Sequence, residues 1–260
     1  MNDALLTRPV ARARASLWVQ TRPLPQARLR LFCFPFAGGS AGSFMPWLPA
    51  LAPDVQVCAI QLPGRGARFG EAPITDLEAL VAELGQVIAE HGDLPYAFFG
   101  HSLGGLLAYE LSHRCVQLGL ELPRHLFVSA SIAPRHRTSG PRYDLMTDTQ
   151  LLAKLREYAG TPPEVLANEE LMALLLPAIR ADFTLLQHYR YRPRPRLEVP
   201  LTVLAGRDDT HVAEALLEDW QLETTGACRQ HWFDGGHFFL AQQQDKVLDL
   251  VQHRLGAALR

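Results

Sequence analysis

The segment AFFGHSLGGLLAYE (Ala97–Glu110) decides the reading of this chain. An apolar run ends in Gly100, and Ser102 stands between Gly100 and Gly104 in a G-x-S-x-G pattern. An apolar, helix-forming stretch follows at once. Alone, five such residues arise easily by chance. A strand before and a helix after give the pattern the context of a nucleophile elbow. The sharp turn needs small neighbours, which Gly100 and Gly104 supply, and Gly105 lets the helix pack closely on a sheet. The turn also sets Ser102 at a helix N-terminus, where the dipole favours developing negative charge.

The surrounding pattern supports that context. Strand-like runs cover Arg28–Phe34, Val55–Leu62, Pro95–Gly100, His125–Ser131, Pro200–Gly206 and Cys228–Phe233. Helical spacing of apolar residues marks Asp76–His91, the stretch up to Gly119, and the region from Phe238 to about Arg254. Short apolar strands alternating with helices predict an α/β fold, with a mostly parallel sheet covered on both faces. Its 260 residues suit one domain of this type. No strand is expected from Pro134 to Pro195. Asp148–Gly160 reads as an amphipathic helix. Asn168–Tyr189 reads as one long helix or as two meeting near Pro177. The alternating prolines of RYRPRPR make an extended connector. Residues 134–195 are therefore expected to be a helical lid inserted within the single domain 1–260. One more crossover is the plainer alternative, but a crossover needs only a dozen or so residues.

Composition excludes several classes. Net charge is −2, which gives no bulk electrostatic case for nucleic acid. No apolar run is long enough to span a membrane. Cys33, Cys58, Cys115 and Cys228 are scattered and form no C-x-x-C pair, so neither a metal site nor a disulfide framework is expected. A reducing, cytoplasmic setting fits this usage. The arginine-containing stretch up to residue 22 lacks the apolar core of a secretory signal and reads as an irregular N-terminus.

A serine hydroxyl needs a base, and the base needs an orienting acid. In folds that carry this elbow, the chain order is serine, acid, histidine. Of ten histidines, His237 follows the last strand directly, in HWFDGGHFFL, and a glycine pair leaves its loop free to aim the ring. His237 is therefore the candidate base. The acid should follow the preceding strand, where LTVLAGRDDTHV offers Asp208 and Asp209. Asp209 fits a G-x-x-D spacing with Val212 behind it, and Asp208 reads as a solvated turn residue. The oxyanion of acyl transfer needs placed donors. One is the backbone N–H of Leu103. The other is assigned to Ala37 in the Gly-rich loop FPFAGGSAGSF, with Phe36 as the neighbouring candidate. That loop has neither G-K-[ST] nor G-x-G-x-x-G, so it does not read as a phosphate cradle.

Five motifs now coincide in one order: LFCFPFAGGSAGSFMPW, LPGRGAR, FFGHSLGGLLAYEL, LPAIRADFTLLQHYRYRP and FDGGHFFL. Together they make the chain resemble the type II thioesterases that accompany polyketide synthases and nonribosomal peptide synthetases. The resemblance runs from about Arg28 to the C-terminus. The family's serine motif commonly reads G-H-S-M-G-A, and here it is G-H-S-L-G-G. The resemblance implies an α/β-hydrolase fold with a helical lid. It also implies editing of assembly lines, by hydrolysis of stalled or misprimed acyl groups on the phosphopantetheine arm of an acyl or peptidyl carrier protein. Ser102 would form the acyl-enzyme, His237 would shuttle the proton, and Asp209 would hold the imidazole. No cofactor and no metal would be needed, and the enzyme would work as a monomer.

The insert offers an apolar wall, LMALLLPAI, for an acyl chain. Phe36, Leu175, Ile179 and Phe183 are the candidate acyl contacts. Arg135, Arg137, Arg142, Arg190, Arg192 and Arg194 are candidate contacts for an acidic carrier. A lipase or carboxylesterase, an acyltransferase, and a non-catalytic module on the same fold remain the alternatives. Oxyester rates, product analysis and the effect of Ser102→Ala separate them.

Overall fold

The computed structural model describes residues 17–138, 140–158 and 160–258. Seven strands form one sheet: β1 (Val19–Thr21), β2 (Leu29–Phe34), β3 (Val55–Ile60), β4 (Tyr96–His101), β5 (Leu126–Ser129), β6 (Leu201–Gly206) and β7 (Cys228–Phe233). Their order is β1-β3-β2-β4-β5-β6-β7. All neighbouring pairs are parallel except β1–β3. The six strands expected from the sequence are β2 to β7. The seventh, β1, lies in the stretch read as an irregular N-terminus. Three residues at an antiparallel edge carry too little periodicity to be seen. The rest of that stretch, residues 1–16, lies outside the described residues.

Alternation along β2 shows why both faces are covered. Phe32 and Phe34 join one apolar cluster with Leu80, Leu84, Leu107 and Leu111. Leu29, Leu31 and Cys33 point the other way, into a second cluster with Trp47, Val247, Val251 and Leu255. Helices α1 (Leu77–Glu90) and α2 (Leu103–Gln117) therefore cover the first face, and the C-terminal helix covers the second. Asp76 caps α1 by accepting from the Ala79 amide (2.7 Å), which satisfies a donor with no intrahelical partner.

Between β5 and β6 the described residues form no named strand. They include α3 (Asp148–Tyr158), a single turn at Pro163–Leu166, and α4 (Glu169–His188). Pro177 sits inside α4, so the two possibilities left open for this segment resolve to one helix. Asn168 caps α4 through the Leu171 amide (3.0 Å). Tyr143, Leu151, Leu155, Met172, Leu176, Ile179 and Phe183 bury one another in a third apolar cluster. The C-terminal helix, α5, spans Gln244–Ala258.

The strand order places a site. From β2 the chain first goes to β3 on one side, then returns to β4 on the other. The loops leaving β2 and β4 diverge there, and such a switch point opens a crevice at the strands' C-terminal ends. The sheet and its helical layers have the α/β-hydrolase arrangement.

Candidate active site

Ser102 closes β4 and caps α2 with φ +55° and ψ −112°. A side chain rarely adopts positive φ, and the strain has a specific structural setting. The Ser102 amide donates to Ser129 C=O on β5 (2.8 Å), and Ser102 C=O accepts from the Gly105 amide (3.1 Å). The glycines around it have no room for more. A Cβ on Gly100 would lie 1.9 Å from Gly104 O, and one on Gly104 would lie 2.0 Å from Phe34 O. A Cβ on Gly105 would meet the Ser131 side chain at 2.7 Å. The elbow therefore presses α2 onto β2 and leaves the Ser102 side chain half-buried at the crevice.

His237 and Asp209 arrive from the loops after β7 and β6. His237 Nε2 lies 2.9 Å from Ser102 Oγ, and His237 Nδ1 lies 2.8 Å from Asp209 Oδ2. The histidine and aspartate side chains are only 5% and 1% exposed. The other carboxylate oxygen of Asp209 accepts from the His211 amide (2.9 Å), so the acid is held from two sides. Asp208 is exposed, and its amide donates to Gly235 C=O. The geometry thus brings together Ser102, Asp209 and His237 and leaves Asp208 outside. A carboxylate on Nδ1 keeps the proton there and leaves the Nε2 lone pair facing the hydroxyl.

Leu103 is the first residue of α2, a position whose N–H has no partner within the helix. Ala37 lies in the loop leaving β2, half-buried, and packs against the cluster of the inserted helices. Phe36 is half-buried, with ring centroids 4.9 Å from Phe238 and 5.9 Å from His101. Leu175 is half-buried, whereas Ile179 and Phe183 are buried within the insert's own cluster. Phe183 packs between Tyr143 (4.7 Å) and Tyr158 (5.7 Å).

Other residues at the site escaped the sequence reading. Tyr158, at the end of α3, stacks on His211 with centroids 4.0 Å apart and meets the His237 ring edge-on at 5.4 Å. His101 lies beneath, fully buried, with Nδ1 2.9 Å from Ser129 Oγ. Burial holds its pKa well below the usual histidine value, so it stays neutral. Only the pattern G-H-S pointed to His101; nothing in the sequence pointed to Tyr158.

The six arginines have mostly internal partners. Arg135 donates to buried Glu223 (3.0 Å), and Arg137 donates to Ser131 Oγ (2.8 Å). Arg142 pairs with Asp144, Arg194 with Glu110, and Arg192 with Glu78. Arg190 donates to the Gln187 and Tyr189 carbonyls. Arg142 and Arg192 remain 65% and 76% exposed despite these pairings. A cleft of about 650 Å³ does lie beside Arg192 and Arg194, bounded by α1 and by Glu110 and Arg114 of α2. It sits two turns and more along α2 from Ser102, so it is not a route to the hydroxyl.

Comparisons with known proteins show the family and the fold. A family model described as Thioesterase domain matches residues 29–255. The chain is 37% identical over 233 residues to the gramicidin S biosynthesis protein GrsT of Aneurinibacillus migulanus, covering 90% of this chain and 91% of that protein. It superposes on BorB, a type II thioesterase from the borrelidin biosynthetic cluster, with a TM-score of 0.84 and 39% identity over 94% of this chain and 98% of that one. It also superposes on RedJ, a thioesterase of the prodiginine pathway in Streptomyces coelicolor, with a TM-score of 0.83 and 35% identity over 88% and 91%.

Proposed function

The chain belongs to the Thioesterase domain family, and on that premise we propose that it hydrolyses acyl groups from the phosphopantetheine arm of a carrier protein. It is close to type II thioesterases of assembly-line pathways. The observation that carries the reading is the unbroken line from Asp209 through His237 to Ser102 at the sheet's switch point.

Ser102 Oγ attacks the thioester carbonyl while His237 Nε2 takes its proton. Negative charge develops on the carbonyl oxygen and meets the amides of Leu103 and Ala37. The tetrahedral intermediate collapses, the C–S bond breaks, and His237 returns the proton to the departing sulfur. Water then attacks the acyl-serine ester. His237 takes one water proton and passes it to Ser102 Oγ as the free acid leaves. Asp209 stays ionised throughout and steadies the imidazolium. The phosphopantetheine belongs to the carrier, so this chemistry calls on no cofactor of the enzyme's own.

Residues 134–195 act as the lid. Tyr158 touches His237 and Ile179 touches the loop of Ala37, so the insert roofs the reacting atoms and limits water. Phe36 and Leu175 are the half-buried apolar groups at its margin and would meet the acyl chain. Editing within an assembly line by a cytoplasmic monomer is part of the proposal, and the likeness to a type II thioesterase supports the editing role.

The test compares one acyl group as carrier-bound thioester, as a soluble N-acetylcysteamine thioester, and as the matching oxyester. The proposal expects the highest kcat/KM for the carrier-bound form and the lowest for the oxyester. An oxyester hydrolysed faster than both would assign the site to a carboxylesterase. An acyl group delivered to an alcohol or amine in preference to water would make it an acyltransferase.

A further inference from the structure

Three motifs far apart in sequence meet behind the Ala37 loop. Arg65, from LPGRGAR after β3, and Asp182, from LPAIRADF on α4, face each other with 5% and 1% of their surfaces exposed. The guanidinium grips the carboxylate with two nitrogens: Nη2 donates to Oδ1 at 2.8 Å, and Nη1 donates to Oδ2. The same Oδ2 accepts from the Gly38 amide at 2.7 Å. Arg65 Nη1 also reaches Gly39 C=O (3.3 Å), and its Nε donates to Pro63 C=O (3.3 Å). Buried Gln61 holds the other side, donating to Arg65 C=O (3.0 Å) and accepting from the Ala41 amide (3.2 Å).

The held segment is a tight turn. The Gly39 amide donates to Phe36 C=O at 2.8 Å, and Gly38, third in the turn, has φ +80°. That is the signature of a type II turn, which differs from type I by a flip of its central peptide. Here the central peptide joins Ala37 to Gly38. A carboxylate on the Gly38 N–H fixes which way that peptide faces and so holds the turn; the Ala37 N–H lies on the preceding Phe36–Ala37 peptide and is set through the turn as a whole. One turn earlier on α4, Ile179 closes the space above: a Cβ on Gly38 would lie 2.8 Å from Ile179 Cγ1. Both glycine demands, positive φ and close approach, fall on one residue.

We propose that Asp182 and Arg65 are positioning residues that set the oxyanion donor of Ala37, and that seating α4 on the sheet assembles the oxyanion hole. The inference rests on the hydrolase reading above. A buried ion pair needs excellent geometry to offset its desolvation, and replacing it by apolar side chains is often neutral for stability. A pair kept only for stability would be replaceable. This pair supplies an acceptor to the loop that an apolar residue cannot.

The experiment measures Asp182→Ala and the double variant Arg65→Met/Asp182→Leu, with Ser102→Ala as control. The readouts are kcat and KM on a medium-chain acyl N-acetylcysteamine thioester, inhibition by an alkylboronic acid, and thermal midpoint. The boronate forms a tetrahedral adduct on the serine, so its affinity reports the oxyanion hole. Loss of one such donor lowers kcat about 10²–10³-fold. Both variants are expected to show a loss of that order in kcat, with KM within about threefold and boronate affinity falling in parallel. If Asp182→Ala fails to fold, the double variant, which strands no charge, still decides. A folded double variant with kcat and boronate affinity within about threefold of the parent overturns the inference, whatever its thermal midpoint. Activity surviving in Ser102→Ala would instead overturn the hydrolase reading itself.

Discussion

Ser102 accepts backbone strain that its neighbours make unavoidable. Its positive φ stands between two glycines whose missing side chains let β4 turn directly into α2. At the same scale the two adjacent aspartates separate cleanly. Asp209 is buried on His237 and Asp208 is exposed. Asp209→Asn preserves the shape but favours the wrong imidazole tautomer, and a loss of about 10⁴-fold in kcat is expected. Asp208→Asn should stay within about threefold. Steady-state kinetics on one thioester substrate checks both, and equal losses would move the acid to the wrong residue. The G-x-x-D spacing already separated these two positions. The sequence could not reveal the bond between Arg65 and Asp182, because 117 positions separate them and each sits in a motif that also reads as loop or helix.

At the level of elements, the strands showed themselves wherever both faces are buried. β2 and β4 are apolar nearly throughout, and burial on both faces is what a parallel sheet demands. β1 escaped because an edge strand of three residues has one partner and one short register. The inserted helices were legible by their period, but their seating was not: Tyr158 reaches His237 only through tertiary packing. Gly104 on α2 and Gly119 just past its C-terminal end give a contrast that tests the packing argument. Gly104→Ala drives a Cβ into Phe34 C=O, so a destabilisation of ~3 kcal/mol or more is expected. Gly119→Ala meets no atom within 4 Å and costs only the left-handed backbone at φ +68°, about 1 kcal/mol. Urea midpoints measure the difference. Equal shifts would mean that α2 can retreat from the sheet.

Across the whole molecule, charge is balanced, with 25 basic against 27 acidic residues. The arginines around the insert serve Glu223, Glu110, Asp144 and Glu78. Long-range steering of an acidic partner should therefore be weak. Raising salt tenfold from a low starting value should change kcat/KM on carrier-bound substrate by less than about threefold; a steep fall would restore an electrostatic docking role. Stability should carry a pH signature from two buried histidines. Desolvation lowers both His113 and His125 from 6.5 to about 4. Between those values the unfolded chain binds protons that the folded chain refuses, so stability rises with pH across this window. It is fully present above about 6.5 and drains as pH falls towards 4. His125→Gln keeps a polar partner for Thr202, which His125 meets at 2.8 Å, and should flatten part of that slope in pH-dependent unfolding. An unchanged slope would contradict the buried, neutral ring.

The proposed chemistry is attack by Ser102 on a carrier-bound thioester, and the triad geometry supports it. The most direct measurement loads an acyl group on the phosphopantetheine of a carrier protein and follows its release by intact mass, with the parent enzyme and with Ser102→Ala. The parent should return free acid and unloaded carrier. The variant should be slower by about 10⁴-fold or more while keeping its thermal midpoint. Release by Ser102→Ala at the parent's rate would contradict the account.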